Sequence, residues 1–532
     1  MKSPLLACLL SAALGLLAPA PAPAPAHAQT LRWASAGDPL TLDPYAQNET
    51  LTNTVNGQIY EFLVTRDPQL NLVPQLATEW KQLGPQSWRL KLRPGVKFHD
   101  GRPFTADDVV FSIQRAQQPS SQIAMYANAV GEPRKVDELT VEFKLPQVNP
   151  VFLQHLATLY IMSRGWAEAH KATRTQDFSS KEESYAAFNA NGTGPFMLVS
   201  RAPDSKTVFK RNPKYWGQIE GNVQEVIYTP IKSDATRTAA LVSGEVDFVL
   251  DPSPRDLENL SRTPGVKIIN GPENRIIFIG LDQGRDELLY SNVKGKNPFK
   301  DVRVRRALYQ AIDIELIKTK LMNGQSAPTG ALVPSPLGSF KDPALEARLP
   351  YDLAAAKKLL AEAGYANGFE FTLDCPNNRY VNDERICMTL ASQWAKLGIK
   401  TRVNAQPKGL IFSKLEQLDT SAYLFGWGGS ITDPESIFTS HFRNRGEKGV
   451  GEYNRGNFKD DELDALVAAS SKEPDEAKRQ QLIKQAFRRQ AEQVHYIPLH
   501  RQFIPWAARS NVEVVHRPDN WLEWRWVTVG SK

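Results

Sequence analysis

The chain has 532 residues, enough at roughly 150 residues per domain for three or four domains with large buried cores. Apolar residues make up 41% and charged residues 23%, which excludes a disordered polymer, and only three cysteines exclude a disulfide-dense miniature scaffold or a cysteine-based zinc array. The 64 basic and 58 acidic residues leave a formal charge of +6, a mild excess at this length and no footprint of nucleic-acid binding.

The first 28 residues read as an address label. Lys2 is their only charge, Leu5–Leu17 is apolar, a Pro-Ala repeat covers Pro19–Ala26, and Ala26-His27-Ala28 fits the cleavage rule for a signal peptidase acting before Gln29. The apolar run falls short of the ~20 residues needed to cross the hydrocarbon core, and no later segment is apolar enough to do so. The expected product is soluble and exported.

Strands and helices alternate beyond this point. Leu31–Ser35 reads as a first strand, and Trp88–Arg93 and Thr140–Leu145 alternate apolar and polar residues with the period of half-buried strands. Between them, Thr105 and Asp108 form a capping-box start to a helix with Val109, Val110 and Ile113 on its apolar face. Asn191-Gly-Thr-Gly-Pro-Phe196 lacks the third glycine of a dinucleotide loop and reads as a tight turn. Asp301 opens a helical run predicted over Val302–Leu321, with Val304, Leu308, Ala311 and Ile312 on one face. Asp352 caps a helix over Leu353–Ala363, which Gly364 ends. A further helix covers about Asp475–Val494, followed by a strand-like stretch to Leu499. Trp521, Trp524 and Trp526 have near-alternating spacing, read as strand packing in preference to an aromatic cage. Mixed α/β with several lobes is the fold expected from pattern alone.

Two cysteines fall in the exported part. Cys375 ends a strand-like segment and Cys387 lies early in a helical one, and an oxidising compartment permits either a disulfide between them or two buried thiols.

Standard catalytic signatures are missing: no G-x-S-x-G, H-E-x-x-H or P-loop occurs. His495 and His500, around Pro498, read as satisfied side chains and not as metal ligands. No catalytic residue, metal or cofactor is expected.

Several ordered blocks resemble the peptide/nickel-type solute-binding proteins, the extracytoplasmic receptors of ABC importers. They are Leu72–Trp80 with Trp88–Val110, Gly192–Phe196 with Arg211–Trp216, Leu241–Asp247, Val302–Asp313, and Gly426-Trp-Gly-Gly-Ser-Ile-Thr-Asp-Pro434. The resemblance implies an α/β, two-lobed periplasmic-binding-protein fold with mixed sheets, hinge closure and an additional third domain. By analogy, lobe I would be 29–60, 191–275 and 501–532, the extra domain 61–190, and lobe II 276–500, with hinge strands near 270–280 and 490–503. The implied function is capture of a small peptide or peptide-like solute by a monomeric periplasmic receptor, which delivers it to a membrane permease whose ATPase is on separate chains. Opines, glutathione, oligosaccharides, nickel chelates and haem are alternatives within the fold, and an exported hydrolase is one outside it.

The resemblance also implies site residues. Relatives that bind dipeptides or oligopeptides carry an Asp for the ligand's amino group in the Gly-Trp block, and this sequence has Ser430 there. Either Asp433 takes that role or the ligand lacks a free N-terminus held in this way. Arg379, ahead of Tyr380, stands near the family's carboxylate-binding Arg and reads either as that anchor or as a solvated loop residue. Trp427 is a candidate platform, Gly428 and Gly429 would let the backbone approach the ligand, and Tyr45 is expected to border the cleft.

Overall fold

The computed structural model describes residues 29–530 except 179–181, 254, 334–342, 378, 429–430 and 447–449. The address segment, Gly429 and Ser430 lie outside the described residues. Eleven of the described strands build one mixed sheet: β1 (Thr30–Ser35), β2 (Phe196–Ala202), β3 (Lys206–Arg211), β4 (Glu225–Pro230), β5 (Phe248–Val249), β6 (Val266–Leu281), β7 (Ser326–Pro328), β8 (Glu370–Pro376), β9 (Lys400–Gln406), β10 (Ala422–Trp427) and β11 (Tyr496–Arg509). Their spatial order is β2-β3-β4-β1-β5-β11-β6-β10-β8-β9, with β7 also on β11.

Two halves meet in this sheet. β1 runs parallel to β4 and β5, and β8 runs parallel to β9 and β10. Antiparallel β6 and β11 join the halves. Residues 505–509 of β11 pair with the start of β6 and Ala507–Ala508 also with β5, while 496–501 pair with the end of β6, which continues into β10. The ladder shifts between Pro272, opposite Phe503, and Ile276, opposite Arg501, so Glu273, Asn274 and Arg275 leave the pairing there. Core packing follows the same division. One buried cluster joins residues between Leu31 and Leu250 to Trp506–Val529, and two others draw on residues between Ile276 and Leu499.

A four-stranded antiparallel sheet (Ala77–Gly84, Ser87–Leu92, Thr140–Lys144 and Glu132–Asp137) stands beside the first half. The helix Ala106–Ala116 is part of this unit, and the Thr105 N–H donates to Asp108 Oδ2 at 2.9 Å. A buried ion pair fastens the unit to the chain's first segment. Arg115 donates to both Asp43 oxygens at 2.8 and 2.6 Å, with both side chains fully buried. The turn at Gly192 runs against the helix Thr50–Ile59, so close that a Cβ on Gly192 would collide with the Ile59 carbonyl oxygen.

Asp352 caps Leu353–Glu362, and Gly364 turns left-handed at φ 88. Asp475 caps Glu476–Gln493, and Val494 takes a left-handed conformation between that helix and β11. Two expectations fail. The run over Val302–Leu321 is not one helix: it stops at Gln310 and restarts at Ile314, because Asp313 caps a new turn by accepting from the Leu316 N–H at 3.0 Å. A short acidic side chain gains more at a cap than inside a helix. The tryptophan tail is not a strand either. Trp524–Trp526 form a tight helical turn with Trp524 fully buried against Trp33, Phe196 and Phe209, and Trp521 faces elsewhere.

The structure joins Cys375, in β8, to Cys387, in the helix Asp383–Ala395, by a disulfide across a separation of 12 residues. Closing a loop of that size removes about 3 kcal/mol of denatured-state entropy in the chain-entropy account. The double variant Cys375→Ser/Cys387→Ser should lose up to that amount in urea unfolding; an unchanged midpoint under both oxidising and reducing conditions refutes the contribution.

Burial holds His155, His441 and His500, and the half-buried His99, neutral. Burial pulls His99 and His155 down to about 4, and His441 and His500 down to about 3. In the unfolded chain each titrates near 6.5, so below that pH the unfolded state takes up protons that the folded state refuses. Stability present above pH about 6.5 is therefore lost as pH falls towards 4, on the order of 1 kcal/mol per histidine per pH unit. Urea midpoints should drop steadily from pH 7 to pH 5, and a flat profile would contradict this burial.

Candidate ligand-binding cleft

A cleft of about 450 Å³ opens where the two halves meet. That lies within the range of small-molecule sites. One wall comes from the first half and its neighbouring unit: Asn48 to Asn53, Phe62, Arg66, Tyr160, and the turn Arg517–Trp521. The other comes from Arg379–Tyr380, Phe412–Glu416, Phe425–Gly428, Tyr453 and Arg455, with Glu273–Arg275 between them. The ladder shift in β6 is what frees Glu273–Arg275 to line the cleft. Gln154 Nε2 donates to Thr432 Oγ1 at 3.1 Å, linking the walls directly.

Trp427 ends β10 in the cleft wall, with Tyr453 at 4.9 Å and His441 at 4.5 Å between ring centroids. Its buried indole N–H finds no acceptor among the described residues. Gly428 passes so close to Asn274 that a Cβ would collide with the Asn274 carbonyl oxygen, so this backbone approach requires glycine. Arg379 and Tyr380 ride on the loop that the Cys375–Cys387 disulfide closes. Their N–H groups donate to Asp383 Oδ2 at 2.9 and 3.0 Å, and the Tyr380 hydroxyl donates to the Gly426 carbonyl at 3.3 Å. Arg379 stacks over Tyr380 at 5.3 Å; the protein atoms crowding its guanidinium, and then Arg275 nearby, lower its pKa.

The charges in the cleft are mostly spoken for. Glu273 accepts from Arg275 Nε and Gln502 Nε2, both at 2.9 Å. Arg517 binds Asp519 through Nε at 3.1 Å and Glu523 at 3.0 Å. Arg66 donates to the Ala157 carbonyl and to Gln154 Oε1, and burial pulls its pKa down to about 10.

Two expected site residues are elsewhere. Tyr45 is fully buried, donates its hydroxyl to the Tyr160 carbonyl at 2.8 Å and lies 5.1 Å beneath the Arg115 guanidinium, so it supports the wall from behind. Asp433 is buried and bidentate with Arg479 at 2.8 and 2.6 Å, a full complement that leaves no charge for a ligand amine. Conversely, Trp521, Tyr453, Arg455 and Glu273–Arg275 line the cleft, and sequence reasoning did not select them for it. Their segments are far apart in the chain and carry no common spacing; the Trp521 alternation pointed to a strand that does not form. Among the described residues no cluster of three or more His, Cys, Asp or Glu could hold a metal ion. No helix among them is long and apolar enough to cross a membrane.

The chain matches the bacterial extracellular solute-binding proteins, family 5, over residues 71–449. It is 28% identical over 485 residues to heme-binding protein A of Haemophilus influenzae, covering 86% of this chain and 84% of that one. It is 29% identical over 503 residues to a dipeptide-binding protein of Pseudomonas aeruginosa, covering 89% of each. Among solved structures, the dipeptide-binding protein of a Pseudoalteromonas species in complex with Met-Leu superposes with a TM-score of 0.73 at 23% identity, covering 94% of this chain and 100% of that one. That likeness establishes the shared two-lobed fold.

If Asp433 serves the fold, removing it strands the buried Arg479 charge. Asp433→Ala should cost about 3–5 kcal/mol in urea unfolding, and Asp433→Ala/Arg479→Met should recover much of it. Parental stability in Asp433→Ala would instead return Asp433 to the list of available carboxylates.

Proposed function

The chain belongs to family 5 of the bacterial extracellular solute-binding proteins, and from that premise we propose that it captures a small peptide or peptide-like solute between two lobes and hands it to the permease of an ABC importer. The observation that carries this reading is the cleft itself: about 450 Å³, walled by both halves, with aromatic faces, exposed backbone and charged groups together. The lobes are assigned as 29–60, 191–275 and 501–532 for the first, 276–500 for the second and 61–190 for the extra domain. The β6–β11 ribbon then acts as the hinge, and closure is driven by the ligand's higher affinity for the closed form. The Gln154–Thr432 hydrogen bond ties the extra domain to the second lobe across the cleft.

Trp427 is assigned as the platform for the ligand, Gly428 as the point of backbone approach, and Arg379, steadied by Tyr380, as an anchor for a carboxylate. The sequence carries Ser430 at the family's amine-anchoring position, and Arg479 occupies Asp433. A ligand held there through a free ammonium would lose its hydration without gaining an ionic partner. The reading is therefore a solute not anchored by its N-terminus at that point. Export through residues 1–28, cleavage before Gln29, action as a monomer and the absence of turnover belong to the same proposal.

Haem, which one relative is named for, is the second reading. No histidine, cysteine or methionine lies among the described residues lining the cleft, which favours the peptide. Thermal-shift screening of residues 29–532 decides between them. Free and N-acetylated dipeptides and glutathione should raise the Tm, N-acetylation should be tolerated, and Trp427→Ala should weaken the response about tenfold or more in Kd. Stabilisation by haemin or sugars alone would overturn the peptide reading, and turnover of a bound peptide would overturn the receptor.

A further inference from the structure

Arg455 is the one arginine in the cleft that is both 7% exposed and without a hydrogen bond or carboxylate for its guanidinium among the described residues. Its guanidinium lies 5.1 Å over the Tyr453 ring, and Tyr453 in turn packs on Trp427. Three other buried arginines are neutralised by carboxylates, Arg115 by Asp43, Arg479 by Asp433 and Arg517 by Asp519 and Glu523, while Arg66 and Arg305 donate to carbonyl and amide oxygens. Arg455 does neither among the described residues. Nearby charge makes Arg455 worse off. Arg445, held to the Glu452 carbonyl at 2.8 Å, is close enough for the two guanidinium groups to repel, which lowers the Arg445 pKa after burial itself.

The acids of the cleft do not relieve this. Glu273 serves Arg275 and Gln502, and Asp519 and Glu523 serve Arg517. Glu416 is exposed at the rim and forms no ion pair with Arg455 among the described residues. A buried cation with no partner costs free energy in the empty protein, and a planar guanidinium fork is shaped to recover it from a carboxylate. Arg379 is connected to the Gly426–Trp427 strand end through Tyr380, over whose ring it lies and whose hydroxyl donates to the Gly426 carbonyl. The cleft thus presents two guanidinium groups, Arg379 and Arg455, that lack carboxylate partners among the described residues and are each connected through a tyrosine to that strand end.

We infer that Arg455 forms a second carboxylate subsite, so that the solute carries an acidic group in addition to the one held at Arg379. The solute class is an acidic peptide or peptide-like molecule with two carboxylates, such as one with a glutamyl side chain. This rests on the receptor reading above and narrows it.

Ala-Glu and Ala-Gln are nearly isosteric and differ in one charge, and calorimetric titration of both, with free and with N-acetylated amino groups, removes the amine from the comparison. The parent should bind the glutamyl member about tenfold tighter or more in at least one of the two forms. Arg455→Gln should bring that ratio to about twofold or less while leaving the glutaminyl affinity within about twofold, and Arg455→Lys should fall between. The unliganded Arg455→Gln protein should melt no lower than the parent, since it loses an uncompensated charge. A parental ratio near one, or a ratio that survives in Arg455→Gln, overturns the subsite and leaves the receptor standing. If no peptide of the four binds, the peptide reading falls and the subsite with it.

Discussion

The antiparallel pairing of β6 with β11 is the constraint on which the rest of the molecule depends. At about 3.3 Å per residue, strands of 16 and 14 residues are long enough to belong to two lobes at once. Their ladder breaks for three residues at Glu273–Arg275, opposite Gln502, and shifts once more between Ile277 and Phe278, where Leu499 is passed over. Gln502 is the stitch at that gap: its amide donates to Glu273, and its carbonyl oxygen accepts from the Val381 N–H at 3.0 Å, on the loop that carries Arg379 and Tyr380. A gap in regular pairing supplies both things a hinged receptor needs. It concentrates backbone freedom between two rigid sheet halves, and it releases three polar residues into the cleft at the place where closure brings the walls together.

Charge is distributed in two distinct ways around this ribbon. Away from the cleft, two buried ion pairs are complete: Asp43 with Arg115, joining the first segment to the extra unit, and Asp433 with Arg479, inside the second half. Such pairs contribute little net stability over apolar packing, but each is costly to break, so they specify which segments meet. Within the cleft, Arg455 and the indole N–H of Trp427 are left without acceptors among the described residues. Buried polar atoms without partners also occur away from the cleft, as at Trp33, His500 and Arg501; those of Arg455 and Trp427 line the cleft, where a bound ligand can reach them.

Much of the frame was legible in the sequence because local rules govern it. The alternation at Trp88–Arg93, the Thr105–Asp108 box, and the caps at Asp352 and Asp475 each name an element from a few adjacent residues. The failure at Asp313 has the same origin. An apolar face continues through Ala311 and Ile312, but an acid that can cap a new turn outweighs the periodicity. Trp521 failed differently: alternating tryptophans describe a strand as well as they describe a turn that sends one ring to the core and another to the cleft. The site was legible only where a motif carried it. Trp427, Gly428, Arg379 and Tyr380 came with recognisable blocks, whereas Glu273, Tyr453, Arg455 and Asp519 are joined by tertiary geometry alone. Asp433 shows the reverse hazard, since position along the chain suggested a ligand role that a partner 46 residues away had already taken.

The separation between frame and site explains how one architecture serves chemically different solutes. The β6–β11 ribbon, the buried pairs and the disulfide-closed loop hold the walls in place whatever lies between them, so their residues answer to stability. Ligand charge is then set by a handful of side chains at strand ends and turns, where a substitution leaves the ladder intact. In the reading proposed above, the sequence carries Ser430 where the family anchors an amine, Arg479 occupies Asp433, and Arg455 is a cation that no carboxylate neutralises among the described residues. On that reading all three work in the same electrostatic direction. A receptor for ordinary dipeptides needs opposite charges at the two ends of its ligand; a cleft in which Arg379 and Arg455 both await a carboxylate would discriminate by charge instead, favouring solutes with two acidic groups.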